Sequence, residues 1–227
     1  MHLFRCFSLC AAIALVTGAA GAEELGWLSK KYEVGKGGPG TISSGKGDAG
    51  GVSYGTYQLT TANVGGFVKK HYPKEFKGLK PATKAFNDKW KALAKSDSTF
   101  GDKQHEYIKE THYDPVVAKL KKNQKLDVDT RSETLRNVVW STAVQHGTRG
   151  GPTVIKNALA PLLKKKKLDQ ITDEEIVKGI YAERGRKDKN GTLVWFSKNS
   201  KDVQKGVAKR FVSEQADALK ALKNEKN

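Results

Sequence analysis

Along most of this chain the apolar residues recur every three or four positions, the period of helices with one buried face. In "PATKAFNDKWKALAK" (81–95), Phe86, Trp90 and Leu93 fall on one side and the lysines on the other. The stretch "FGDKQHEYIKETHYDPVVAKLKK" continues the pattern. Within it Pro115 marks a break or a new first turn, because proline lacks the N–H of an interior helical position. The clearest helix is "DTRSETLRNVVWSTAVQHG". Leu135, Val138, Val139 and Thr142 form its stripe, Thr130-x-x-Glu133 reads as a capping box, and Gly147 is a stop. A second capping box, Thr172-x-x-Glu175, opens "TDEEIVKGIYAERG", which ends at Gly185. Val203, Val207, Phe211 and Leu219 anchor a long C-terminal helix. The one convincing β signal is "KDKNGTLVWF", where Asn190-Gly191 before an apolar run predicts a hairpin. No repeat or linker divides the chain, so the expected fold is mainly α with a small β element.

The first 22 residues break the pattern. "MHLFR" is a short basic start, "CFSLCAAIALV" an apolar run, and "TGAAGA" ends in the small-x-small signature of a cleavage site. The run is shorter than the roughly 20 apolar residues that spanning a bilayer requires. The expectation is a signal peptide at 1–22, a single domain at 23–227, a periplasmic or secreted location, and no stable membrane anchor after cleavage. Both cysteines, Cys6 and Cys10, fall in the signal, so thiol chemistry and disulfides are excluded from the mature chain. The formal charge is +17, and the signal carries one basic residue, Arg5, and no acidic one, which leaves +16. Such a surface attracts polyanions. For an exported protein these are cell-wall polymers and acidic glycans before nucleic acid.

Residues 32–60, "YEVGKGGPGTISSGKGDAGGVSYGTYQLT", hold nine of the 23 glycines around two isolated carboxylates, Glu33 and Asp48. Glu33 ends "ELGWLSKKYE", in which Leu25, Leu28 and Tyr32 recur at helical spacing before Gly35, Gly37, Gly38 and Pro39 stop the helix. A carboxyl at the end of a packed helix is partly desolvated, which raises its pKa towards general-acid use. Asp48, on a glycine turn, stays wet and ionised. One dry acid and one wet carboxylate is the pair that glycoside hydrolysis employs. The same two residues also read as a helix-surface acid and an Asx-turn residue, and both readings stand at this point.

The remaining motifs exclude more than they add. His71, His105, His112 and His146 lack metal-ligand spacing, so no metal or other cofactor is expected. His146 differs from the other three in ending a buried stripe just before a glycine. "GGPGTISSGKG" lacks the Gly-Lys-Ser/Thr end of a phosphate loop, there is no Gly-x-Ser-x-Gly elbow, and no nucleic-acid module is visible. Nucleic acid is therefore not an expected partner.

The glycine-rich stretch, with "HEYIKETHYDPVVAKLKK", "LRNVVWSTAVQHG", "IYAERGRKD" and "VAKRFVSEQADALK", resembles a lysozyme-like peptidoglycan hydrolase group. That group occurs on phage tails and fused to type VI secretion spike proteins, and is related in layout to the chitosanases of the lysozyme superfamily. The resemblance implies a two-lobed α fold with a small β element and a cleft between the lobes. Glu33 takes the place of the catalytic acid and Asp48 that of the second carboxylate, which activates water. Ser53, Tyr54, Tyr57 and Gln58 match the cleft-lining "S-Y-G-x-Y-Q" segment, and Gln145, His146, Glu183 and Arg184 match segments with cleft or supporting residues. The implied function is an antibacterial hydrolase cleaving the β-1,4 glycan strands of peptidoglycan with inversion. A proteinaceous inhibitor or immunity protein is the partner that would restrain it. The alternatives are a lytic transglycosylase, which needs no second carboxylate, a chitosanase, whose cationic polymer a +16 surface repels, and a non-enzymatic wall-binding protein.

Overall fold

The computed structural model describes residues 25–33, 38–43 and 51–225. The expected signal peptide and Asp48 lie outside these residues, as does the side chain of Glu33. The described chain is mainly helical, as its periodicity predicts. α1 (Trp27–Glu33) ends at Glu33, two positions before Gly35. A two-stranded antiparallel sheet follows, β1 (Ser53–Tyr54) and β2 (Leu59–Thr60), with Ser53 opposite Thr60 and Tyr54 opposite Leu59.

α2 (Thr61–His71), α3 (Lys84–Ser96) and α4 (Phe100–Ile108) pack around an aromatic cluster. Phe67, Phe86, Trp90 and Phe100 are all fully buried there, and the Trp90 ring meets Phe100 edge-on at 4.8 Å. α4 runs through a π-helical turn, Lys109–Tyr113, into α5 (Asp114–Gln124), whose first turn carries Pro115 where its missing N–H costs nothing. Of the two expectations for Pro115, the new first turn is the one the structure has, entered through a widened turn in a continuous helical path.

α6 (Glu133–Leu163) is the central element. Its buried stripe includes Leu135, Val138, Val139 and Thr142, as the pattern predicts, but Asn137, Trp140, Ser141 and Ala143 are buried too, so the helix is enclosed on several sides. One sequence expectation needs correction here. The N-cap is Ser132, whose hydroxyl accepts from the Leu135 N–H, while Thr130 belongs to a separate 3-10 turn, Val128–Thr130. Gly147 does interrupt the helix as expected, with non-helical φ +68° and ψ 179°, and beyond this kink a second helical segment runs on to Leu163.

α7 (Asp173–Arg184) is capped as expected, with Thr172 and Glu175 bonding reciprocally and Gly185 at the C-cap. The predicted hairpin after it is reduced to one bridge, Lys187 to Leu193, around a turn with Gly191 at φ +78°. "VWF" then forms a 3-10 turn, Val194–Phe196, instead of a strand. α8 (Lys201–Asn224) buries Phe211, Glu214, Ala218 and Leu222 against α6, α7 and α1. Val203, expected as an anchor, is 44 % exposed. One hydrophobic cluster runs from Leu28 and the β-turn through α6 to Phe211 and Ala218.

Candidate functional site

The "SYGTYQ" segment is the turn joining β1 to β2, and its shape is set by backbone bonds. The Gly55 N–H donates to Thr41 O at 2.7 Å, and Ser43 and Ser53 bond reciprocally, Ser43 N–H to Ser53 O at 2.9 Å and Ser53 N–H to Ser43 Oγ at 2.8 Å. These bonds tie together the two flanks of the interval that contains Asp48. Gly55 sits at φ +75° with the Gln104 carboxamide packed on its α-carbon, so a side chain there would collide with it. That carboxamide accepts from the Thr56 N–H at 3.0 Å and donates to Pro39 O at 3.0 Å, bridging both ends of the glycine-rich stretch. Gln58 adopts a left-handed conformation, φ +49°, with its Nε2 donating back to Gly55 O.

The two tyrosines of the segment have different settings. Tyr54 is completely buried between Phe86 and Trp90, its hydroxyl bonded to Asn87 Oδ1 and the Ala82 N–H, and burial raises its pKa. Enclosed in this way, the Tyr54 ring presents no face to a sugar and serves to fix the turn. Tyr57, 6 % exposed, bonds through its hydroxyl to His105 Nδ1 at 2.6 Å. The His105 ring stacks on Trp140 at 4.7 Å. Trp140 borders Gly26, whose N–H donates to Asn137 Oδ1 at 2.6 Å. A chain of contacts therefore runs from the turn through α4 and α6 to the start of α1. Asn137 and Trp140 carry no signal in the sequence beyond the unbroken apolar "VVW" on α6, and His105 shows there only as a histidine without metal-ligand spacing.

At its other end α1 is held by α8: the Tyr32 hydroxyl donates to Asp217, and Lys31 pairs with the same carboxylate at 2.6 Å. Burial and Asp217 push the Tyr32 hydroxyl above its ordinary pKa, and the Glu214 carboxylate adds to the effect. The backbone of Glu33 is thus fixed by the residue before it.

Gln145, His146, Glu183 and Arg184 gather in a second cluster, where α6 kinks and α7 ends. Arg184 is fully buried. It donates to Gln145 Oε1 at 2.7 Å and Ser141 Oγ at 3.2 Å, pairs with the buried Glu214 at 3.2 Å, and lies over the rings of Tyr181 and Phe211. Glu183 accepts from Asn157, Arg186 and Trp195 Nε1. Burial works to raise its pKa, but these donors outweigh it and hold the carboxyl below its usual value. A carboxylate with so many donors is a structural anchor, not a proton donor. His146 meets the edges of Trp195 and Phe196, and burial, with Arg184 and Arg210 near it, lowers its pKa to about 3. Its ring is neutral at physiological pH. The polar contacts of this cluster run among α6, α7 and α8, whereas the tyrosine hydroxyls of the turn bond to α3 and α4.

Among the described residues no group of acids and histidines could hold a metal ion, and no helix is long and apolar enough to cross a membrane. Residues 25–215 match the family described as "Type VI secretion system spike protein VgrG3-like, C-terminal". The chain belongs to this family. As a VgrG3-like C-terminal domain it is similar to the type VI secretion system spike protein VgrG3 of Vibrio cholerae serotype O1, at 39% identity over 159 residues. The match covers 67% of this chain and 15% of that relative, so the chain spans a small part of the spike protein's length. The family match begins at Leu25, two residues before α1, and takes in both clusters described above.

Proposed function

We propose that this VgrG3-like domain is a periplasmic or secreted peptidoglycan hydrolase that cleaves the β-1,4 glycan strand, with Glu33 as general acid and Asp48 as the carboxylate that activates water. The observation that carries the reading is the position of Glu33. It is the terminal residue of a short helix clamped at both ends, by Gly26–Asn137 and by Tyr32–Asp217, and only Val34 separates it from the glycine-rich interval that holds Asp48. A general acid must be held still against the glycosidic oxygen, and a water-activating carboxylate must face it across the sugar, about 6.5–9.5 Å away for inversion. The tied flanks around Asp48 support such a facing arrangement. Gln58 is the half-buried candidate of the turn left for the substrate side, the buried Ser53, Tyr54 and Tyr57 fix it from behind, and the Arg184 cluster stiffens the α6–α7–α8 wall. The positive surface draws the enzyme to anionic wall polymers.

The test is digestion of purified peptidoglycan. Glu33→Gln should lose at least about a hundredfold in activity while melting as the parent does. Asp48→Asn should fall similarly, with reducing-end sugars as the parent's products. Full activity in Glu33→Gln sinks the assignment. Anhydro-sugar products with an active Asp48→Asn would make the protein a transglycosylase.

A further inference from the structure

A cavity of about 550 Å³ lies between the start of α1, the π turn with α5, and the first turns of α6. Its walls carry charges of both signs. Lys109 pairs with Asp114 within the wall at 2.7 Å, Lys121 turns to Asp127 outside it at 2.6 Å, and Glu133, one turn before Arg136, has a partner of its own. Two others, Arg136 and Asp129, make no ion pair among the described residues. The Arg136 Nε is buried without a hydrogen-bond partner, and so is the hydroxyl of Tyr113, a residue only 3 % exposed. Both charges lie close enough to that hydroxyl to act on it, Asp129 raising and Arg136 lowering its pKa, although burial is the larger effect. Leu25, Val117 and Ala118 supply an apolar wall.

A buried donor left unbonded costs about 1–3 kcal/mol, so such groups generally have a partner to meet. Here the donors are a guanidinium and a phenol, which together suit a carboxylate. The nearby unpaired Asp129 suits an ammonium. The π turn that supplies Lys109 and Tyr113 widens the helix at this point, a feature frequent at functional sites.

We infer that this cavity binds a zwitterionic peptide, the stem peptide of the wall polymer, with a carboxylate on Arg136 and Tyr113 and an ammonium on Asp129. The identification of the peptide rests on the proposed glycan substrate. Leu25 and Glu33 are eight residues apart, about 12 Å along a helix, whereas an extended stem of five residues reaches about 17 Å. A peptide branching from a sugar at Glu33 is therefore long enough to end in the cavity. The inference adds a specificity subsite for cross-link-free, peptide-bearing strands at the far end of α1.

The experiment is calorimetric titration of the full chain with the free stem tripeptide L-alanyl-γ-D-glutamyl-meso-diaminopimelate. Saturable binding is expected, weakened roughly tenfold or more by Arg136→Gln and by Asp129→Asn, since each removes a charge-assisted contact. Glu33→Gln should bind the peptide like the parent, and a tripeptide with both of its free amines acetylated should be insensitive to Asp129→Asn. Melting curves confirm that each variant is folded, and Arg136→Lys, which keeps the charge, should bind between the two. No binding, or equal binding by parent and variants, overturns the inference even if the protein digests glycan. Specific peptide binding by a protein that digests none upholds the cavity's ligand and sinks the glycan reading.

Discussion

His146 shows how one side chain ties stability to pH. Its folded pKa of about 3 lies well below the ordinary value of 6.5. The folded state therefore takes up its proton later than the unfolded state does. The stabilisation is complete above about pH 6.5 and drains away as pH falls towards 3. A melting-temperature profile should decline across that window, and His146→Gln should flatten it; an unchanged slope would assign the loss to the carboxylates. Arg184 and Glu214 are both fully buried and depend on each other. Removing either alone leaves a buried charge, at a cost of about 3–5 kcal/mol. Arg184→Met with Glu214→Leu should cost less than the sum of the single changes in urea unfolding, because no charge is stranded.

At the level of elements, Gly147 is the position to probe. Its φ and ψ lie in a region that is essentially glycine-only, and a β-carbon there meets no atom within 4 Å. Gly147→Ala should therefore destabilise by about 1–3 kcal/mol through the backbone alone, and a melting temperature within error of the parent's would show that the kink can relax. The helices were legible because amphipathic periodicity reports burial directly, as with Phe86, Trp90 and the α6 stripe. The strands were not: β1 and β2 have two residues each, too few for any alternation, whereas "TLVWF" has strand-like residues that the chain uses in a 3-10 turn. Ser132 and Thr130 are both good caps two residues apart, and only tertiary contacts choose between them. The "SYGTYQ" segment was recognisable as a motif, but Tyr54 in the core and Tyr57 against His105 are the same residue type in the same turn. Both are buried, and which one meets Phe86 and Trp90 and which one meets His105 depends on residues far along the chain. The cavity under the π turn left no trace in the sequence, since an inserted residue in a helix has no compositional mark.

For the whole molecule the dominant quantity is charge. With 41 basic against 24 acidic residues, most lysines lie on solvated faces. Attraction to anionic wall material acts over about a Debye length, 8–10 Å at 0.1–0.15 M salt and about 3 Å at 1 M. Clearing of whole cell walls should fall steeply over that range, whereas hydrolysis of a short uncharged glycan should scarcely change. Parallel loss on both substrates would locate the salt effect in the site instead of the surface. A different consequence follows from the far end of α8. The Glu225 carboxylate accepts from the Glu133 N–H at 3.0 Å and the Thr134 N–H at 2.7 Å, across about ninety residues of sequence. Those amides would otherwise be among the orphan donors at the start of α6. Their hydrogen exchange is thus a built-in gauge of whether the last helix is docked, readable without a label and without knowing the substrate.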